Sequence, residues 1–484
     1  MPVFASIPCL LGSQASETDV DQRNTPPSGL PRVLGLWMAI AVVIGNTIGA
    51  GIFVKPGRIA ADAGSFPLIF SVWIFGTVLC VLGGLCLAEL SAMLPRSGGL
   101  YVYLREAYGP LPAFLFGWQE FLFARPASTA ALAVVCVSSL FRILGGAIGP
   151  WQVVPFSMCL ILAVAWFNVL GVMWGARLQA LTTIVKCGLV LTIALLPWIV
   201  SLLGGSPLGF GLLTQTVDPQ QSTMSGQFAA VLLAVMWAFN GWEGVVPIAE
   251  EVKNPGRNLP LALLGGIGLL GVLYMGATLA YHMVIPISEM VIAENREHVA
   301  ELLLTRSLGA WAGSMMSVGL VLSTLGTINS NLLTSPRVTY AMGRDGLLPS
   351  VFGSLHPRYQ TPMAAILFQA AIACVMVIGS ALLIEFTDYF HKRTIFDLLT
   401  DCIVFAASLF YTAAIASLIV LRYKQPGLAR PFRTPGYPWT PLLYIVAYGW
   451  FILSILREQP VEGLFGILLI LIGIPYFMHR TRSR

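Results

Sequence analysis

Beyond residue 31 the apolar residues run in unbroken blocks, and the polar residues collect in the gaps between them. Twelve blocks can be read, at about 35–58, 66–94, 109–143, 153–172, 177–203, 227–250, 260–284, 309–343, 362–384, 394–422, 439–456 and 461–478. Each reaches the roughly 17–25 residues that carry an α-helix across a bilayer core. The longest of them predict tilted or projecting helices. A run such as FSVWIFGTVLCVLGGLCLAEL at 70–90 has none of the alternation of a barrel strand. The pattern predicts an all-α polytopic membrane protein of 12 spans. Residues 1–31 are polar and rich in Ser and Pro, and predict a disordered cytoplasmic tail. The short apolar start lacks a basic leader, so no cleavable signal peptide is expected.

Composition strengthens this reading. Of 484 residues, 57% are hydrophobic and 10% charged, with a mean hydropathy of +0.81. A soluble domain carries about 25% charged residues. So low a charge fraction excludes a soluble enzyme, a nucleic-acid binder and a disordered chain. The net charge of +5 matters through its placement. With the N-terminus inside, inside loops and tails hold 16 basic residues. The outside loops hold seven, Arg58, Arg142, Arg296, Arg306, Lys392, Arg393 and Arg457. This bias predicts cytoplasmic termini in a cytoplasmic (inner) membrane. The eight cysteines have no paired short spacing, and all but Cys9 lie in apolar runs. They predict neither a disulfide framework nor a metal site. No cofactor is expected.

Two spans are interrupted near their middles. The first reads AVVIGNTIGAGIFVKPG (41–57), with Gly45, Gly49 and Gly51 inside it. The sixth reads AVMWAFNGWEGVVPIAEE (234–251), with Asn240–Gly241, Gly244 and Pro247. A glycine inside a helix costs about 0.8–1.0 kcal/mol relative to alanine. One such span could reflect close helix packing alone. Two at matching places, each opening a five-helix block, point to a transporter site. Unwound backbone in a membrane must line a cavity. Its N–H groups attract an anion and its carbonyls a cation, which suits the zwitterion of an amino acid.

At these residues the chain resembles the amino acid–polyamine–organocation superfamily, within it the L-type amino acid transporter branch. The resemblance covers about residues 33–440 and rests on several motifs together. They are GNTIGAGIF (45–53), ELSAMLPRSGGLYVYLREAYGP (89–110), FLFARPAST (121–129), MWAFNGWEG (236–244), EEVKNPGRNLP (250–260) and NSNLLTSPRVTYAMGRDGLLP (329–349). It implies a LeuT-type fold: repeat one at 32–203 (spans 1–5), an inverted repeat two at 227–424 (spans 6–10), then 425–484 with spans 11–12 and a short tail. It implies a substrate site at Thr47, Ile48, Gly49, Ala50, Gly51, Trp237, Asn240, Gly241 and Glu243. There the N–H groups of Ala50 and Gly51 would bind the carboxylate. The carbonyls of Thr47, Trp237 and Asn240 would receive the ammonium, under the Trp237 ring. Relatives often have Ser where Ala50 stands, so a hydroxyl contact is missing. The 142–152 loop lacks the cysteine by which L-type light chains join a heavy subunit. No disulfide-linked heavy subunit is therefore expected.

Charges within the spans add detail. Lys186 lies in the middle of the fifth span, where a lysine costs about 2.5–3.5 kcal/mol unless it finds a partner or a wet cavity. In the implied fold it would donate to freed carbonyls of the Gly45–Gly49 turn, in the space where sodium-coupled relatives hold an ion. It is read as a fixed ion substitute or a proton-coupling group, and transport as sodium-independent. Arg125 lies in the third span, with Glu243 or a carbonyl as its expected partner. Glu120, five residues earlier, is expected on another face. Glu243 itself could act as substrate-side acid, proton relay or packing partner. Glu89 is read as an anchor at the inner end of the second span, and Arg337 as structural or part of an inner gate. Trp198 and Trp439 fit an interfacial belt.

The reading is a secondary transporter of neutral amino acids, working by alternating access as antiporter or proton symporter. A cationic amino acid or polyamine permease of the same fold is the alternative, and it would need Glu243 exposed to the substrate. A non-transporting sensor is disfavoured by the short tails. An enzyme is disfavoured because the histidines lie at span ends, in loops or at the terminus, and no nucleotide-binding motif is present.

Overall fold

The computed structural model describes residues 32–146, 149–205, 208–220, 223–386, 395–458 and 460–482. The tail expected to be disordered, 1–31, lies outside them. The described elements are helical, apart from two isolated bridges, one pairing Leu34 with Val252 and one Ser65 with Thr216. The first span is broken into α1 (Leu36–Thr47) and α2 (Gly51–Val54), and α3 (Pro56–Ala63) follows directly. The second span is α4 (Phe66–Met93), with the short α5 (Leu100–Tyr108) after it. The third joins α6 (Pro110–Gln119) to α7 (Arg125–Ile143) through a π-helical turn, Glu120–Ala124. The fourth and fifth are α8 (Pro150–Val169) and α9 (Val172–Leu202).

The sixth span has only 16 regular residues, α10 (Met224–Phe239). It breaks at Asn240 and resumes as a 3-10 turn, Val246–Glu251. The seventh is α11 (Pro255–Val284). Where a plain loop was expected at 285–308, the chain forms α12 (Ile287–Met290) and α13 (Val299–Leu308). The eighth span is α14 (Ala310–Thr334) with α15 (Pro336–Arg344). Then come α16 (Met363–Phe386), α17 (Ile395–Lys424), α18 (Trp439–Glu458), α19 (Pro460–Leu471) and α20 (Gly473–Arg482). Among the described residues eleven helical segments are long and apolar enough to cross a membrane, and α10 with its broken continuation makes a twelfth.

The sequence explains where these helices start. Pro110, Pro150, Pro255, Pro336 and Pro460 each occupy the first turn, where no N–H is needed. The broken pair α1/α2 and α10 sits at the centre, and residues 42–54 and 229–239 are almost all buried. The lipid-facing side lies on α8, α9 and α18, whose Trp166, Ile184 and Val446 are exposed. Trp198 and Trp439 are also exposed, as an interfacial belt requires.

Candidate substrate site at two broken helices

Both interruptions are real. Helix α1 ends at Thr47, and Ile48 turns to extended geometry (φ −71°, ψ 92°). Helix α10 ends at Phe239, and Gly241 takes φ +100°. Only glycine adopts that angle cheaply. A Cβ on Gly241 would also meet Asn46 Nδ2 at 2.8 Å and the Asn46 carbonyl at 3.0 Å. The two broken helices touch: a Cβ on Gly51 would lie 2.8 Å from Ala238 Cα. Asn46 Nδ2 donates to the Gly241 carbonyl across the gap (3.0 Å). The Tyr274 hydroxyl reaches carbonyls of both helices, Ala238 at 3.1 Å and Thr47 at 3.4 Å.

Between the breaks lies a cavity of ≈ 20 Å³, room for about one water molecule. Of the residues expected from the sequence, Thr47, Gly49, Ala50, Gly51, Trp237 and Asn240 line it. The α2 start leaves the leading backbone N–H groups outside the helical ladder. The Trp237 carbonyl accepts from Asn240 N (3.0 Å).

Ile48, Gly241, Glu243 and Lys186 stand outside the lining. The Ile48 carbonyl accepts from Thr327 Oγ1 (2.9 Å). The Gly241 carbonyl takes Asn46 and Gly244 N. Glu243 is 1% exposed and pairs with Arg125, its Oε1 2.6 Å from Nη2.

Lys186 is fully buried and donates to the Gly45 carbonyl (2.7 Å) and Thr327 Oγ1 (2.6 Å). Ser323 Oγ donates to the Gly49 carbonyl (2.9 Å). Lys186 Nζ and two hydroxyls thus hold the carbonyls that α1 frees at its C-terminal end.

The sequence pattern missed five lining residues: Asn46, Ser128, Leu132, Thr327 and Asn331. Asn46 Oδ1 is a buried acceptor without a donor among the described residues. Asn331 Nδ2 donates to Ser128 Oγ (3.1 Å). Thr327 and Asn331 stand four apart on α14, a spacing that puts both on one face and could have signalled a polar stripe.

Arg125 also lines the cavity. Its pairing corrects the expectation that Glu120 faces elsewhere. Arg125 Nε lies 2.7 Å from Glu120 Oε2. The cause is the π-turn, in which the Arg125 N–H bonds to the Glu120 carbonyl. Residues five apart then stack on one face, as they cannot in an α-helix.

On one face, α5 is tied to α15 and to the sixth span. Arg105 pairs with Asp345 (2.7 Å), and the Tyr101 hydroxyl donates to the same carboxylate (2.6 Å). Ser97 N donates to Glu250 (3.0 Å) and Gly98 N to the Pro247 carbonyl (3.0 Å). Arg337, 1% exposed, pairs with Glu251 (3.1 Å) and donates to the Leu333 carbonyl. Glu89 accepts from Arg422 (2.6 and 2.9 Å) and from Thr434 N (2.6 Å), the anchoring role expected of it.

On the opposite face, α13 is latched to the end of α7. Arg142 Nη1 donates to His298 Nδ1 (2.8 Å) and Glu301 (3.2 Å). Arginine cannot accept, so His298 is neutral with its proton on Nε2. Burial, together with Arg142, lowers the His298 pKa, and Glu301 opposes this. The fold therefore binds fewer protons here than the unfolded chain. The latch contributes fully above about pH 6.5 and is lost as pH falls below it. Thermal melts in detergent should show a midpoint falling between pH 7.5 and 5.5. His298→Asn keeps an acceptor for Arg142 and should remove that part of the slope.

Comparison with known proteins agrees with this geometry. The profile of the amino acid permease family matches residues 34–477. The chain belongs to the amino acid permease family. The serine/threonine exchanger SteT of Bacillus subtilis is 31% identical over 457 residues, covering 94% of this permease and 98% of SteT. The human b(0,+)-type amino acid transporter 1 is 30% identical over 469 residues, covering 95% and 90%. The human large neutral amino acids transporter small subunit 2 is 31% identical over 453 residues, covering 93% and 80%. The permease is a multi-pass membrane transporter of the L-type branch, and not an enzyme.

Proposed function

We propose that this permease exchanges neutral L-amino acids across a cytoplasmic membrane by alternating access, without sodium. One observation carries the reading: two membrane helices come apart beside the same cavity and line it with main chain. In this reading the N–H groups of Ala50 and Gly51 hold the α-carboxylate. Carbonyls of Thr47, Trp237 and Asn240, with Asn46 Oδ1, hold the α-ammonium. Because the cavity has room for about one water, an amino acid enters only as the broken segments swing apart. In this reading each repeat, 32–203 and 227–424, contributes one of the broken segments, and the basic loop residues support cytoplasmic termini.

The relatives' names, a serine/threonine exchanger and a large neutral amino acid transporter, support a neutral substrate and exchange. The carboxylate that a cationic substrate would need, Glu243, is engaged by Arg125. Lys186 donates to the Gly45 carbonyl, beside the place where the resemblance puts the ion of sodium-coupled relatives, which supports independence from sodium.

The test is uptake of labelled neutral and cationic amino acids into proteoliposomes. It is run with and without internal amino acid, sodium and a pH gradient. Uptake driven by internal amino acid alone supports the proposal, and strict sodium dependence contradicts it. Asn46 gives a finer test. Asn46→Leu should weaken substrate affinity about tenfold by removing an acceptor for a charged donor. Asn46→Asp keeps that acceptor but gives up the Nδ2 bond to the Gly241 carbonyl, so its KM should rise less than that of the leucine variant.

A further inference from the structure

Among the described lining residues Arg125 is the only charged one. Its guanidinium is held from two directions. Nε is 2.7 Å from Glu120 on the π-turn, and Nη2 is 2.6 Å from Glu243 in the sixth-span break. The three side chains are 9%, 8% and 2% exposed. Two carboxylates on separate elements fix the plane of a group that is already rigid. Neither Glu120 nor Glu243 borders the cavity, so a solute meets the cation and not the carboxylates behind it. Nη1 has no protein acceptor among the described residues. Beside it, three residues on along α7, Ser128 shares its hydroxyl with Asn331 and continues the same polar wall.

We infer that Arg125 is a specificity-determining residue, presenting Nη1 to the substrate side chain. The site then takes neutral amino acids with a hydrogen-bond acceptor close to the α-carbon, a hydroxyl or an amide. An apolar side chain of the same size leaves this buried donor without a partner, which is unfavourable. A cationic side chain meets a donor where it needs an acceptor, since both nearby carboxylates are turned to Arg125. The inference rests on the amino acid exchange proposed above.

The test uses counterflow in proteoliposomes of the full chain, reading the serine-to-alanine ratio of KM and competition by lysine. Wild type should favour serine about tenfold over alanine, the worth of one hydrogen bond to a charged group. Lysine should not compete. Arg125→Gln combined with Glu243→Gln removes the guanidinium together with one of its carboxylates. That double variant should bring the ratio to near unity and admit lysine. Both readouts are ratios within one preparation, so a smaller folded fraction leaves them unmoved. If the variant cannot be purified, the wild-type ratios decide. Wild type that favours alanine or accepts lysine overturns the inference, as does a double variant with unchanged ratios. Absence of any amino acid exchange by wild type overturns the functional reading and this inference with it. Intact exchange with unaltered ratios overturns this inference alone.

Discussion

Replacing Lys186 by methionine should reduce amino acid exchange by one to two orders of magnitude. The methionine matches the length of the lysine stem but carries no charge. Lys186 Nζ makes two hydrogen bonds, at 2.7 Å to the Gly45 carbonyl and 2.6 Å to Thr327 Oγ1. Hydrogen bonds to a charged group contribute about 1.5–3 kcal/mol, which is the origin of the expected range. Their loss leaves the end of α1 without its counter-charge and lets the Gly45–Gly49 turn drift from the geometry that the substrate requires. Thr327 makes the effect local, because it both supports Ile48 and lines the cavity. Counterflow by purified variant and wild type in the same lipid measures it. Lys186→Arg should recover part of the activity by keeping the charge, whereas a small loss in the methionine variant would show that Lys186 is only a packing group.

The second large effect concerns stability. Arg337→Met should lower unfolding free energy by about 3–5 kcal/mol, the cost of leaving one member of a buried ion pair alone. Arg337 and Glu251 are 1% and 2% exposed, so solvent does little to screen the orphaned carboxylate. The pair also joins the base of α15 to the turn that follows the sixth-span break. Thermal unfolding of purified protein in detergent reads the loss. Glu251→Gln should cost a similar amount, since it strands the guanidinium. Restoring a pair of neutral residues, Arg337→Met with Glu251→Leu, should recover much of it.

The architecture was legible because a bilayer leaves few choices. Any apolar run of sufficient length must be a helix, and the prolines at 110, 150, 255, 336 and 460 mark the starts. The breaks were legible for the same reason: glycine and asparagine inside such a run have no other cheap explanation. Lys186 was legible because a cation at mid-membrane needs acceptors, and the first-span break offers them.

The rest depended on geometry that residue order does not encode. Nothing in EFLFA announces a π-turn, so the stacking of Glu120 on Arg125 was hidden. Residue order left Glu243 open between substrate-side acid, proton relay and packing partner; its pairing with Arg125, one of the partners expected, sets it outside the cavity lining. Asn46 belongs to the first-span motif, yet its amide is aimed across at Gly241 only because the two breaks are neighbours in space. Helix α13 was read as loop because its ten residues are too short a run to cross a bilayer and are broken by Glu301, Thr305 and Arg306.

The central claim is that bare main chain at two broken helices holds both charged groups of an amino acid. Competition against serine counterflow in proteoliposomes tests it most directly, using ethanolamine, which lacks the carboxylate, and lactate, which lacks the ammonium. The account predicts that unlabelled serine competes fully and that neither analogue competes at a hundredfold excess. Equal competition by ethanolamine or by lactate would contradict it, since one pole of the site would then have no part in binding.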